Sequence, residues 1–81
     1  MSATFYLVTT LIETDECVSD SHQLYSNFEA AKEAMKDELV EAQDNFSGDG
    51  DFIINLPRCI EWRNPDGYGF TVGIEEIVPI D

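Results

Sequence analysis

The chain has 81 residues, of which 17 are acidic and 4 are basic, so its formal net charge is −13. Such a charge repels nucleic acid and anionic membrane surfaces, which excludes proteins that bind either of them directly through a basic patch. Because 43% of the residues are hydrophobic, the chain is still able to fold, and we expect a single domain over residues 1–81.

The N-terminal sequence favours a cytoplasmic protein. MSATFYLVTT has neither the basic region nor the cleavage site of a secretory signal, and Met-Ser replaces the Met-Gly required for myristoylation. The longest apolar runs are too short for a membrane span. Cys17 and Cys59 form at most one disulfide, and we expect free thiols that pack as small apolar side chains.

The first two predicted elements are strands. Thr4–Ile12 is rich in β-branched and aromatic residues and has no charge, which favours a central strand. Neither of its faces is clearly polar, and we expect the uncovered face to expose tyrosine, valine and isoleucine. Cys17–Tyr25 is either an edge strand or an irregular connection. We favour the edge strand, since its polar centre, Ser19–Gln23, would discourage aggregation.

Ser26–Gln43 is the one stretch with a helical period. Ser26 and Glu29 have the spacing of a capping box. Apolar residues at intervals of three and four form a stripe that we expect to pack on the sheet: Phe28, Ala31, Met35, Leu39 and Ala42. The opposite side carries acids at intervals of four, about 6 Å apart: Glu29, Glu33, Asp37 and Glu41. This row is either an ordinary solvated face or a binding face.

An acidic loop and further strands are predicted after the helix. Asp44–Asp51 contains two glycines and three acids, which is typical of a flexible loop. Phe52–Leu56 predicts a strand that Pro57 ends or bends, and Cys59–Arg63 follows it.

The last part of the chain predicts a hairpin. Asn64–Gly67, with the sequence NPDG, has the residue order of a tight turn with a positive φ at its glycine. Tyr68–Val78 is the returning strand. Gly69 and Gly73 within it suggest a bulge, or a place where another backbone or a ring packs closely.

Together these elements predict an α+β fold. We expect a small antiparallel sheet of three or four strands with one helix packed on one face. The predicted order is strand, optional strand, helix, strand, strand. Trp62 and Met35 are expected to meet between the helix and the sheet. Since one helix cannot cover both faces, the open face is a candidate surface for homodimerisation or partner docking.

No spacing of nucleophiles, bases or metal ligands indicates an enzyme. The only histidine, His22, lies five residues from Cys17 without the signature of a catalytic pair, and we expect it to be exposed. Residues 45–56 alternate oxygen ligands as an EF-hand loop does, but Leu56 stands where the bidentate glutamate is required. We therefore predict no catalytic residue, no cofactor and no metal site.

In size, acidity and element order the chain resembles small proteins of phages and mobile elements. Some of those proteins are inhibitors that mimic DNA, including anti-restriction and anti-CRISPR proteins. The resemblance and the acidity favour a non-enzymatic protein that docks on a basic, nucleic-acid-binding surface of another protein. The expected contact residues are the acids of the helix and the following loop: Glu29, Glu33, Asp37, Glu41, Asp44, Asp49 and Asp51. The alternative is a small structural domain that homo-oligomerises through its open sheet face.

Overall fold

The computed structural model describes residues 4–46 and 48–78, which form one helix and five strands. The elements are β1 (Phe5–Glu13), β2 (Val18–Tyr25), α1 (Phe28–Gln43), β3 (Asp51–Leu56), β4 (Cys59–Arg63) and β5 (Gly69–Ile77). All strand pairs are antiparallel, and the sheet order is β2-β1-β5-β4-β3. The predicted α+β class is confirmed. Within the described residues, no helix combines the length and the apolarity needed to cross a membrane.

The sheet has five strands where the sequence predicted three or four, and three of them follow the helix. The difference arises at Pro57 and Arg58, which form a two-residue turn between paired Leu56 and Cys59. Proline presets φ at the first turn position, so Pro57 reverses the chain instead of merely ending or bending a strand. β2 is an edge strand, as predicted.

The helix covers one face of β1, and this settles a point that the sequence left open. Val8 and Thr10 are buried, and the Thr10 hydroxyl donates to the carboxylate of Glu38 on α1 at 3.2 Å. Because alternate residues of a strand point to opposite faces, the helix side of β1 consists of Tyr6, Val8, Thr10 and Ile12. The open side therefore consists of Phe5, Leu7, Thr9 and Leu11. The expectation that it exposes tyrosine, valine and isoleucine was wrong.

The core lies between α1 and the centre of the sheet. Its buried apolar side chains are Val8, Ala31, Met35, Ala42, Phe70, Val72 and Ile74. The predicted helical stripe is confirmed, since three of its members are buried and the other two, Phe28 and Leu39, pack against the core. Trp62 also packs against this cluster. Its ring stacks on that of Phe70, with the ring centroids 5.6 Å apart.

The NPDG turn joins β4 to β5 as predicted. Gly67 has a φ of +90°, and its N–H donates to the carbonyl oxygen of Asn64 at 3.0 Å. The Asn64 side-chain oxygen accepts from the N–H groups of Asp66 and Tyr68, both at 3.0 Å. The asparagine side chain thus provides a hydrogen-bond acceptor for two backbone N–H groups of the turn.

Gly69 allows β5 to leave this turn at close range to β4. A Cβ atom at that position would overlap the carbonyl oxygen of Trp62, so a larger residue does not fit. Close approach of another backbone was one of the two readings that the sequence offered for this strand. The other reading, a bulge in this strand, was wrong: β5 pairs with β1 and β4 without a register shift, and the shift in the sheet lies in β3 between Phe52 and Ile54.

The helix begins one residue later than the capping box predicted. Asn27 is the N-cap, and its side-chain oxygen accepts from the N–H groups of Glu29 at 2.8 Å and of Ala30 at 3.4 Å. Ser26 lies outside the helix, so its spacing to Glu29 does not make a capping box. Asparagine caps helices at least as well as serine. In this chain Asn27 is the residue whose side chain reaches the free N–H groups at the helix start.

Replacing Asn27 with alanine is expected to lower the free energy of unfolding by about 1 kcal/mol, because the N–H groups at the helix start lose their acceptor. The matched change Ser26→Ala should alter it by no more than about 0.5 kcal/mol. Urea unfolding followed by circular dichroism measures both. A larger loss for Ser26→Ala would show that serine, and not asparagine, caps the helix in solution.

Candidate functional site

The outer face of α1 is an exposed row of carboxylates. It lies opposite the buried stripe, as the helical period requires, and consists of Glu29, Glu33, Asp37 and Glu41. Among the described residues, one ion pair involves this row: Lys36 Nζ lies 4.0 Å from Glu33 Oε1. The two side chains are 73% and 74% exposed. An ion pair this long and this exposed contributes little to stability, and the row keeps its negative charge.

The loop after α1 carries further acids past the end of the helix. Asp44, Asp49 and Asp51 are all exposed. Phe46 holds the loop to the core, because its ring packs on that of Trp62 with the centroids 5.2 Å apart. The loop is therefore anchored to the core at Phe46, between Asp44 and the two later acids. We call these seven residues the acidic surface: Glu29, Glu33, Asp37, Glu41, Asp44, Asp49 and Asp51.

The acids at the end of α1 oppose the helix dipole. Glu41 lies in the last turn, Asp44 is the C-cap, and no basic residue occupies that turn. The C-terminal end of a helix carries partial negative charge, so anions there reduce stability. Placing two acids at this position costs folding free energy, which favours a role for them outside folding.

The residues considered for catalysis or metal binding do not converge. Within residues 4–46 and 48–78, no three His, Cys, Asp or Glu side chains lie close enough to hold a metal ion together. His22 is exposed as expected, with Nε2 3.4 Å from the Asp20 carboxylate. Cys17 and Cys59 are free thiols. Cys17 is exposed, which corrects the expectation that both pack as apolar side chains, because it lies in the β1–β2 connection outside the core.

A groove between α1 and the β3–β4 hairpin was not predicted. Its volume is about 360 Å³, and its apolar wall consists of Met35, Leu39, Leu56, Pro57 and Ile60. The groove exists because α1 lies over β1, β5 and the end of β2, and leaves β3 and β4 uncovered. A helix is about 10 Å wide, whereas five strands span about 19 Å, so one helix cannot cover the whole face.

Two of the four basic residues of the chain lie at this groove, and a third, Arg58, lies in the turn beside it. Lys32 and Lys36 line the groove. The Arg58 guanidinium lies 4.6 Å from the centroid of the Phe28 ring. Lys32 Nζ lies 5.8 Å from the same centroid. Arg58 Nη1 also lies 3.7 Å from Glu76 Oε2 on β5, so part of its charge is neutralised within the molecule.

The fourth basic residue, Arg63, is bound on the open face of the sheet. Its Nε donates to Glu61 at 2.8 Å, and its Nη2 donates to Glu13 on β1 at 2.9 Å. The hydrogen bond from Arg63 to Glu61 is the main cause that raises the pKa of the guanidinium, while partial burial opposes the rise. Both carboxylates hold Arg63 in place, so it is already neutralised within the molecule.

No protein-family model, no curated protein and no solved structure matches this chain. Its function therefore has to follow from the chemistry of its own surfaces.

Proposed function

We propose that this protein is a non-enzymatic binding protein that docks its acidic surface on a basic surface of another protein, where nucleic acid would otherwise bind. The observation that carries the proposal is the exposure of all seven acids, with one weak ion pair to Lys36 among the described residues. Carboxylates arranged in this way can occupy sites built for phosphates, giving fast association that weakens as salt is added.

The charge density of the molecule supports this proposal. Its longest extent is 48 Å. The formal net charge of −13 includes Asp81, which lies outside the described residues, so those residues carry a net charge of −12. Dividing 48 Å by 12 gives one net negative charge per 4 Å. DNA has one phosphate per about 3.4 Å of helix axis in each strand and one per about 1.7 Å in the duplex, so the charge density of this molecule is near that of one strand and about half that of the duplex.

The placement of the basic residues supports it as well. Arg63 is bound on the open face and Arg58 lies beside Glu76. Lys32 and Lys36 are therefore the cations left beside the acidic surface, and among the described residues Lys36 makes only the long, exposed pair with Glu33.

Glu41 and Asp44 are placed where they cost stability, which is expected of residues used for binding. The helix C-terminal half and the loop to Asp51 are therefore the centre of the proposed contact.

Capture from a lysate tests this function. The tagged chain is immobilised, a nuclease-treated lysate of the source cells is passed over it, and bound proteins are eluted with a salt gradient. We expect basic proteins that handle nucleic acid, and we expect duplex DNA to displace them because both compete for the same phosphate sites. Proteins that remain bound in the presence of excess DNA, or capture of this chain alone, would contradict the proposal.

The open sheet face gives less support to the alternative of a homo-oligomeric assembly domain. Leu24 is 58% exposed there, beside its cross-strand partner Leu7. Acids occupy the same face, however, since Glu75 is opposite Leu7 and Asp20 is opposite Leu11. A second copy stacked on this face would bring carboxylates against carboxylates.

A further inference from the structure

We propose that the groove between α1 and the β3–β4 hairpin binds a small amphiphile with an apolar body and a single anionic head, of the class of the medium-chain carboxylates. The groove volume of about 360 Å³ is within the range of small-molecule sites, which is about 300–1,000 Å³. Such sites have mostly apolar walls and a few polar groups that orient the ligand. This inference does not rest on the proposed function, because the groove and the acidic surface share no residue.

The walls of the groove provide the contacts for the apolar body. α1 contributes Met35 and Leu39, which lie four residues apart on one side of the helix. The hairpin contributes Leu56, Pro57 and Ile60. Because α1 leaves β3 and β4 uncovered, this surface faces water, and Leu56 is 59% exposed. An apolar body lying in the groove removes this surface from water, which favours binding.

The charge of the lining residues indicates an anionic head. The chain has 17 acidic residues and only two lysines, Lys32 and Lys36, so composition alone favours acids around any groove. Both lysines nevertheless line this groove, and none of its lining residues in the described parts of the chain is acidic. The two lysines are one helical turn apart on the same side of α1. A carboxylate at this rim would accept hydrogen bonds from their ammonium groups.

The two ammonium groups can turn to a ligand at little cost. Lys36 Nζ lies 4.0 Å from Glu33 Oε1, and both side chains are largely exposed, so this ion pair is weak. Lys32 Nζ lies 5.8 Å from the centroid of the Phe28 ring, a contact that also contributes little at an exposed site. Both arginines, by contrast, already lie beside carboxylates of the sheet.

The acids next to the lysines limit the head to one negative charge. Glu29 and Glu33 each lie three residues before one of the lysines, so they are its neighbours on the helix surface. A phosphate monoester carries close to two negative charges at neutral pH. Its second charge is repelled by these acids and by the net charge of −13. A carboxylate, with one charge, therefore fits this rim better.

Three probes with the same alkyl chain and different heads test this site: octanoate, octanol and octyltrimethylammonium. Each is titrated into the isotope-labelled chain below its micelle concentration, and binding is followed by amide chemical shifts. The net charge of −13 predicts that the cation binds tightest wherever the charge of the whole molecule dominates. At the groove we expect the reverse order, with octanoate tightest and its shift changes confined to residues 32–39 and 55–60.

Matched variants test the role of the lysines and the location of the site. Lys36→Gln should weaken octanoate binding about threefold or more and leave octanol binding unchanged. Ser19→Glu, on the exposed edge strand β2, changes the net charge by the same amount away from the groove and should keep the octanoate affinity. Asn55 is exposed and lines the groove, so Asn55→Trp should fill it and abolish binding of both probes.

Several results would overturn the proposal. One is the absence of shift changes with octanoate up to its micelle concentration. Another is octanoate binding no tighter than octanol or the cation, or binding equally well to the variant Asn55→Trp. Equal losses of octanoate and octanol affinity in Lys36→Gln would show that the lysine does not hold the anionic head.

Discussion

Reversing the charge of Glu33, Asp37 and Glu41 to lysine is expected to abolish binding of the basic partner while leaving the fold intact. The three side chains are exposed on the outer face of α1, so each change should alter the free energy of unfolding by no more than about 0.5 kcal/mol. The formal net charge falls from −13 to −7, and the middle of the acidic surface becomes positive. In the variant, the partner's basic surface would face lysines in place of carboxylates, and the like charges would repel.

The size of this effect follows from the three carboxylates that are reversed. At about 1 kcal/mol for each reversed charge, the triple change weakens the complex by more than about 100-fold. The association rate should fall most, since complementary charge mainly accelerates encounter. Surface plasmon resonance with the captured partner, repeated across a salt series, measures both the affinity and its salt dependence. Binding that survives with an unchanged salt dependence would show that this face does not bind the partner.

A matched variant separates position from net charge. Asp15, Glu16 and Glu75 are exposed acids away from the helix, and their reversal to lysine changes the net charge by the same amount. We expect this variant to keep most of the affinity. Equal losses in the two triple variants would mean that the partner responds to overall charge and that the helix row has no special role.

The parts of the fold that the sequence predicted well depend on local signals. The stripe of α1, the NPDG turn and the polar edge strand β2 each follow from residues close together in the chain. Two errors were also local. Asn27 and Ser26 are adjacent and both make good caps, so composition does not choose between them. Pro57 is compatible with ending a strand or with reversing it, and only the pairing of β3 with β4 decides.

Among the surface features too, those set by local sequence were predicted and those set by long-range packing were not. The exposure of the acidic row follows directly from helical periodicity, so the sequence predicted it. The groove depends on where α1 lies on the five-stranded sheet, since its lysines come from the helix and Leu56, Pro57 and Ile60 come from the β3–β4 hairpin. Arg63 and Glu13 are 50 residues apart and meet only because β5 lies between β1 and β4. Long-range pairing leaves no signal in a single sequence.

Replacing Phe70 with alanine is expected to lower the free energy of unfolding by about 3–5 kcal/mol, which is the usual cost of emptying a buried aromatic site. The side chain is fully buried on β5. Small domains have stabilities of about 5 kcal/mol or slightly more, so most of the margin would be lost. The matched change Phe52→Ala removes the same atoms from a side chain that is 49% exposed, and it should cost about 1 kcal/mol.

The Phe70 site also connects the core to the acidic surface. Phe46 lies with its ring centroid 6.1 Å from that of Phe70 and 5.2 Å from that of Trp62, so these rings anchor the start of the loop, two residues after Asp44. Urea unfolding followed by the fluorescence of Trp62, the only tryptophan, reports on the stack directly. If Phe70→Ala costs no more than Phe52→Ala, the three rings do not form the core of the folded protein. A large loss, with partner binding weakened under conditions where the variant stays folded, would show that the same stack orders the acids of the loop.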